Sequence, residues 1–278
     1  MGHHYVPRFY LRGFAVDEAI WAYDKQTERS FPTQVKSIAN ETSIYSDELE
    51  SHLATQVEDP AKPAIAKLRE RQQLAPDERL ALAKYMVVLW KRVPKARERV
   101  VARLPSVADE VRTDLHSQLD QLAERNPDLI SKVDKWRGEI DAVIAKQRQK
   151  PSPEIWYHSI KSQSSPRVVD ALLSMNWIFL RSEAHQFLTS DNPVFFFEHE
   201  GIGKPTSELT WPISSSVALW ATRLPRPSMQ FLSASPSGIR EINRRTVRNS
   251  VRFIYARHDE PWILPFVSRK QWRLTRLQ

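Results

Sequence analysis

The feature that most constrains the fold is a change of hydrophobic period partway along the chain. Between Asp47 and about Ser174, apolar residues recur three and four positions apart. Leu82, Met86, Leu89 and Val93 form one such set, Val107, Val111, Leu115, Leu119 and Leu122 a second, and Ile130, Val133, Trp136, Ile140 and Val143 a third. That spacing puts each set on one face of a helix, where it serves as core or as a helix–helix seam. Asn126-Pro127 and Ser152-Pro153 each place a capping residue before a proline that suits a first helical turn. After Asn176 the period disappears. WIFLRS, HQFLTS, PVFFFE, TWPI, VALWAT and MQFLSA are short apolar runs bounded by polar or turn residues, which read as strands.

The expected fold is therefore α+β, with a helical middle region (47–175) packed against a mostly antiparallel C-terminal sheet within a β-rich basic region (176–278). The first 46 residues read as a short helix after Pro7, ending near Gly13, and then a hairpin in which AIWAYD pairs with RSFPTQ across the KQTE turn. In AIWAYD, Ile20 and Ala22 are expected inward and Trp21 and Tyr23 outward. A basic helix between Ser237 and Ser250 interrupts the strands, with Ile239 and Ile242 inward, and VRFIYAR follows as the last strand. Pro105 to Lys150, highly charged outside its stripes, reads as a helical hairpin able to meet a protein partner.

Charge placement narrows the function. Residues 223–278 hold 12 Arg or Lys against Glu241, Asp259 and Glu260, a net of +9, while the whole chain carries +8. The excess positive charge thus sits at the C-terminal end, where its field attracts phosphates; the readings are a nucleic-acid partner, an acidic protein partner or a merely solvated face. Arg240, Arg244 and Arg248 recur every fourth residue along one helix face, with Arg245 and Arg252 near enough to widen the patch. The chain has no Cys, which excludes disulfides, thiolate metal sites and a Cys nucleophile. No GxGxxG, Walker A, GxSxG or HExxH occurs, so no nucleotide-cofactor motif is present. The polar start MGHHYVPRFYLRGFA does not read as a signal peptide, no run has the roughly 18 apolar residues of a membrane span, and the expected location is cytoplasmic.

The most distinctive segment is His3-His4-Tyr5-Val6-Pro7, followed by Phe9, Tyr10, Leu11 and Phe14. It resembles the HYVP signature of an uncharacterised bacterial family, domain of unknown function 4238. Glu58 with Pro63 resembles that family's E-x4-P helix start, and Arg92-Val93-Pro94 its R-x-P at a helix end. Phe187 to Val194 resembles its FLTSDNPV segment, and Trp211-Pro212-Ile213-Ser214 its Pro-Leu-Ser step with Ile in place of Leu. The order and approximate spacing match across nearly the whole chain. The resemblance implies one family-wide domain over residues 1–278 and no reaction; the expected architecture has the HYVP segment returning to the sheet.

Read chemically, His4 is a general base or a metal ligand, since imidazole titrates near neutrality, or else it anchors the chain start. Asp191 and Asn192 follow an apolar strand and precede Pro193, a place for a catalytic carboxylate or for a self-satisfying turn. Glu58 and Arg92 either orient His4 or hold metal and phosphate. His4, Glu58 and Asp191 together offer one nitrogen and two oxygen ligands to a divalent ion such as Mg²⁺ or Mn²⁺. The first expectation is a metal-dependent, nuclease-like enzyme in which His4 and Asp191 converge, with Asn192 and Arg92 in the catalytic set. The alternatives are a nucleic-acid-binding or regulatory module in which these motifs serve packing, and a toxin or antiphage effector with another target.

Overall fold

The computed structural model describes residues 2–42, 44, 46–149, 152–161 and 166–277, and its fold is α+β. The chain begins with β1 (Gly2–His4), α1 (Arg8–Leu11), β2 (Ala19–Asp24), β3 (Arg29–Gln34) and β4 (Asn40–Thr42). Helices α2 (Asp47–Leu53), α3 (Asp59–Arg69), α4 (Pro76–Arg92), α5 (Pro94–Arg125), α6 (Ile130–Gln149), α7 (Pro153–Lys161) and α8 (Pro166–Leu173) follow. The last part holds β5 (Asn176–Arg181), β6 (Thr189–Ser190), β7 (Phe195–Phe196), β8 (Glu208–Pro212), β9 (Val217–Thr222), β10 (Gln230–Ser233), α9 (Pro236–Asn249), β11 (Phe253–Ala256) and α10 (Ile263–Val267).

Two compact units emerge, residues 1–93 with 160–278, and residues 94–159. In the first, β10-β5-β9-β8-β7 form a five-stranded sheet, antiparallel apart from the parallel β10–β5 pair. A second sheet, β3-β2-β11-β6, is antiparallel throughout. The expected N-terminal hairpin is β2–β3, but it joins β11, so the two ends of the chain build one sheet. Tyr23, expected outward, is fully buried, because β2 is covered on that side by Leu188, Val247 and Ile263.

Helix α9 ties the two sheets together. Ile239 and Ile242, from its first half, pack with Ile178, Phe187 and Trp220 of the five-stranded region, while Val247 packs with Tyr23, Ile254 and Val267 of the four-stranded one. Ser235 caps its start through the Gly238 amide, and Lys25 closes its end by donating to the Val247 and Ser250 carbonyls at 2.9 and 3.1 Å. Helix α4 lies against the five-stranded sheet through Tyr85 on Trp211 and Trp90 on Phe196.

The N-terminal segment returns to that sheet as expected. Tyr10 Oη lies 2.7 Å from both Thr189 Oγ1 and the Pro212 carbonyl, and the Ser215 amide donates to the Gly13 carbonyl at 2.9 Å. Gly13 is needed at this crossing. A Cβ there would stand 2.8 Å from the Ile213 carbonyl oxygen and 2.6 Å from an Arg69 guanidinium nitrogen.

In residues 94–159, α5 and α6 form an antiparallel pair held by Asp120–Arg137 and Asp109–Arg148 ion pairs. The expected helical hairpin is thus present. Among the described residues, no helix is long and apolar enough to cross a membrane.

Candidate functional site

The family-like motifs separate into two places. At the first, Arg92 is 1% exposed at the end of α4. Its guanidinium pairs with the Glu58 carboxylate, donates to the His4 carbonyl at 2.6 Å and reaches Glu50 at 3.3 Å. One buried cation therefore fastens β1, α2 and the turn before α3, and such a bidentate clamp needs the planar guanidinium. Above it, His4, Glu50 and Glu58 line a cleft of about 240 Å³ with Arg8, Phe9 and Lys62. Burial, helped by the nearby Arg8 charge, lowers the His4 pKa, so its imidazole is neutral near pH 7.

Asp191 and Asn192 do not line that cleft. Asp191, 5% exposed, accepts the Val251 amide on one carboxylate oxygen at 2.9 Å and the Arg252 and Phe253 amides on the other at 2.7 and 2.8 Å. Burial raises its pKa against the pull of these three amides. Asn192 donates to the Asn249 carbonyl at 2.9 Å, and Asn249 donates back to the Asn192 carbonyl at 2.7 Å. The Asp-Asn-Pro turn thus staples the strand end β6 to the junction of α9 and β11. Its neighbour in the HYVP segment is Tyr5, whose phenol pKa is raised by burial and then by the Asp191 charge. Among the described residues no group of three or more His, Asp or Glu side chains is placed to hold a metal ion, the set His4, Glu58 and Asp191 included.

The arginines also divide. Arg245, grouped with the patch from its sequence position, is fully buried. It pairs with Glu208 at 2.7 Å and with Glu241 at 3.3 Å, donates to the Thr275 carbonyl at 2.5 Å, and stacks on Phe195 and Phe197. One residue past Arg244, it falls about 100° round the helix onto the inward face. Arg252 is engaged by Asp24 at 2.7 Å. Arg240, Arg244 and Arg248 stay on the outer side of α9, and Arg244 lies 3.4 Å from a Glu241 carboxylate oxygen.

That outer side borders a groove. A cavity of about 430 Å³ is lined by Arg240, Arg244, Trp262, Phe266, Arg269 and Trp272, and a second of about 500 Å³ by Arg248, Lys270, Arg269 and Trp272 with Glu28. The Trp272 ring is the shared wall. The Arg244 and Arg269 guanidiniums sit 5.7 and 4.7 Å from its centroid, and Phe266 packs on it at 4.5 Å. A third cavity of about 380 Å³, lined by Arg181 and His185, shares Pro236 and Ile239 with the first. The groove follows α9 along its length.

The family described as "Protein of unknown function (DUF4238)" matches residues 2–260. The chain belongs to this family. No curated protein and no solved structure matches it. Arg92 with Glu58 and His4 fastens the N-terminal segment to the helices, and Asp191 with Asn192 fastens β6 to the α9–β11 junction, whereas the second half of the arginine–aromatic groove, from Pro261 on, lies beyond the matched residues. Trp262, Phe266, Arg269 and Trp272 were not singled out in the sequence. Their signal is the clustering of aromatic and basic residues within PWILPFVSRKQWR.

Proposed function

We propose that this chain binds single-stranded nucleic acid in the groove along α9. One observation carries the reading. Trp272 lies against the Arg244 and Arg269 guanidiniums at the wall common to two cavities, so positive charge and an apolar ring meet at one place in the groove. Arg240, Arg248 and Lys270 extend the positive track, and Trp262, 37% exposed beside it, offers a flat apolar face to a base. A basic groove interleaved with aromatic rings is what sequence-tolerant binding to unpaired bases requires.

Anisotropy titrations of labelled single-stranded and duplex oligonucleotides test this. Trp262→Ala should weaken single-strand binding by about 5- to 150-fold, corresponding to the ~1–3 kcal/mol of one stacked base, and duplex binding much less. No saturable binding to either form at about 50 mM salt, where phosphate contacts are strong, overturns the reading.

The second reading, phosphodiester hydrolysis, is favoured by the His4 cleft, where a neutral imidazole stands beside Arg8 and Lys62. Incubating the protein with RNA and DNA, with Mg²⁺, with Mn²⁺ and with chelator, tests it. Cleavage lost in His4→Ala supports a catalytic His4, and no turnover under any of these conditions removes it.

A further inference from the structure

The long helices of residues 94–159 bury little of the apolar surface they carry. Among the described residues of α5 and α6, only Ala96, Ala108 and Val133 are buried, whereas Val107 (47% exposed), Val111 (46%), Trp136 (37%) and Val143 (60%) are open. A pair of helices is a single layer, and helical bodies become stable by covering each apolar stripe with another layer. These four share one face, while Val101 (44%) and Ile130 (53%), also open, fall to the other side of the seam. At about 100° per residue, Val107 and Val111 sit less than about a third of a turn to one side of the seam residue Ala108, and Trp136 and Val143 are offset in the same sense from Val133. Because the helices are antiparallel, equal offsets put both stripes on the same side of the hairpin.

The charge along the hairpin says what covers that face. Residues 94–106 with 142–149, at the open end, carry six Lys or Arg against Glu98, whereas residues 107–141, towards the turn, carry nine Asp or Glu against five Lys or Arg. We propose that a second copy of the chain docks here, antiparallel about a two-fold axis, so that the basic end of each hairpin lies along the acidic end of its partner. A two-fold contact uses the same patch on both copies, which an apolar face with opposite charge at its two ends supplies by itself. A parallel arrangement would set like charges side by side.

The full-length chain is measured by sedimentation equilibrium over a range of concentrations and salt. The expected species is twice the 32.3 kDa chain, and adding salt should loosen it. Val111→Asp with Val143→Asp should raise the dissociation constant at least about tenfold, since each aspartate would be buried unpaired. Because these changes could also disturb the hairpin, a second pair of variants reads the charge. Arg97→Glu, Arg103→Glu and Lys146→Glu together should weaken the dimer, and adding Glu124→Lys and Asp128→Lys to the same chain should restore it. The chain has no cysteine, so introduced thiols read the orientation. Val111→Cys should self-crosslink on oxidation, and Arg125→Cys at the turn end should not. Efficient crosslinking through Arg125→Cys overturns the antiparallel arrangement. A wild-type chain that stays monomeric at about 100 µM overturns the proposal and leaves the face to a different protein.

Discussion

Replacing Arg245 with Ala separates the structural arginines from the ones assigned to binding. Arg245 is fully buried between two carboxylates, and removing it leaves Glu208 and Glu241, both under 5% exposed, facing each other without their cation. Breaking a buried pair by deleting one partner costs about 3–5 kcal/mol, because the remaining charge stays desolvated. Arg276 remains 3.5 Å from Glu208 and Arg244 3.4 Å from Glu241, and the Thr275 and Leu277 amides still donate to the carboxylates, which favours the lower end of that range. With roughly 2–4 °C of melting temperature per kcal/mol for chains of about this size, the expected fall is about 6–12 °C. Arg240→Ala, at an exposed position on the same helix, should stay within about 0.5 kcal/mol of wild type. Denaturant and thermal melts of the two variants supply the comparison. A third variant, Arg245→Met with Glu208→Gln and Glu241→Gln, should recover most of the loss, since no charge is then buried. An Arg245→Ala protein that melts with wild type and loses nucleic-acid binding would refute the placement of this side chain.

Other outcomes follow from the same geometry. Asp191→Asn keeps a single acceptor oxygen for the three amides of residues 251–253, so it should lose about 2–4 kcal/mol in a denaturant melt, at about 1.5–3 kcal/mol per charged hydrogen bond. A variant that melts like wild type yet abolishes an activity would instead make Asp191 a catalytic group. The Asp24 carboxyl is held at about 2, mainly by the Arg252 guanidinium, so its contribution is present above the ordinary carboxylate value and lost as pH falls through about 2. Melting temperatures of wild type and Asp24→Asn should therefore differ at pH 7 and converge between about pH 4 and 2. A constant difference across that window contradicts the ion pair. Arg92→Lys should lower stability despite keeping the charge, because an ammonium cannot hold Glu58 and the His4 carbonyl in one plane.

The α+β layout was legible because the switch from helical period to short apolar runs falls near residue 175, where α8 gives way to β5. The pairing of β2 with β11 was not, since a partner more than 200 residues away leaves no local trace. Arg245 shows the limit for the site. Its neighbours at 240, 244 and 248 fix a face by spacing, yet the inward position of the next residue is recognisable only once Glu208 and Glu241 are known to lie beneath it. Asp191 before Asn192-Pro193 reads equally as a catalytic acid or as a turn residue. Only the three amides at the α9–β11 junction distinguish the two, and they come from about 60 residues downstream. His4, Glu58 and Arg92 did converge, because each motif marks the end of an element that must meet the others at the buried guanidinium.

The most direct test of the α9 groove is the salt dependence of single-strand binding by wild type and by the triple variant Arg240→Ala, Arg244→Ala and Arg248→Ala. Each lost phosphate contact should lower the slope of log affinity against log salt by about 0.7, so three contacts lower it by about 2. The loss should be uniform across sequences, and any fall in the melting curve should trace to Arg244, which pairs with the buried Glu241, since Arg240 and Arg248 are exposed. Equal affinity and equal slope for the two proteins would contradict the account.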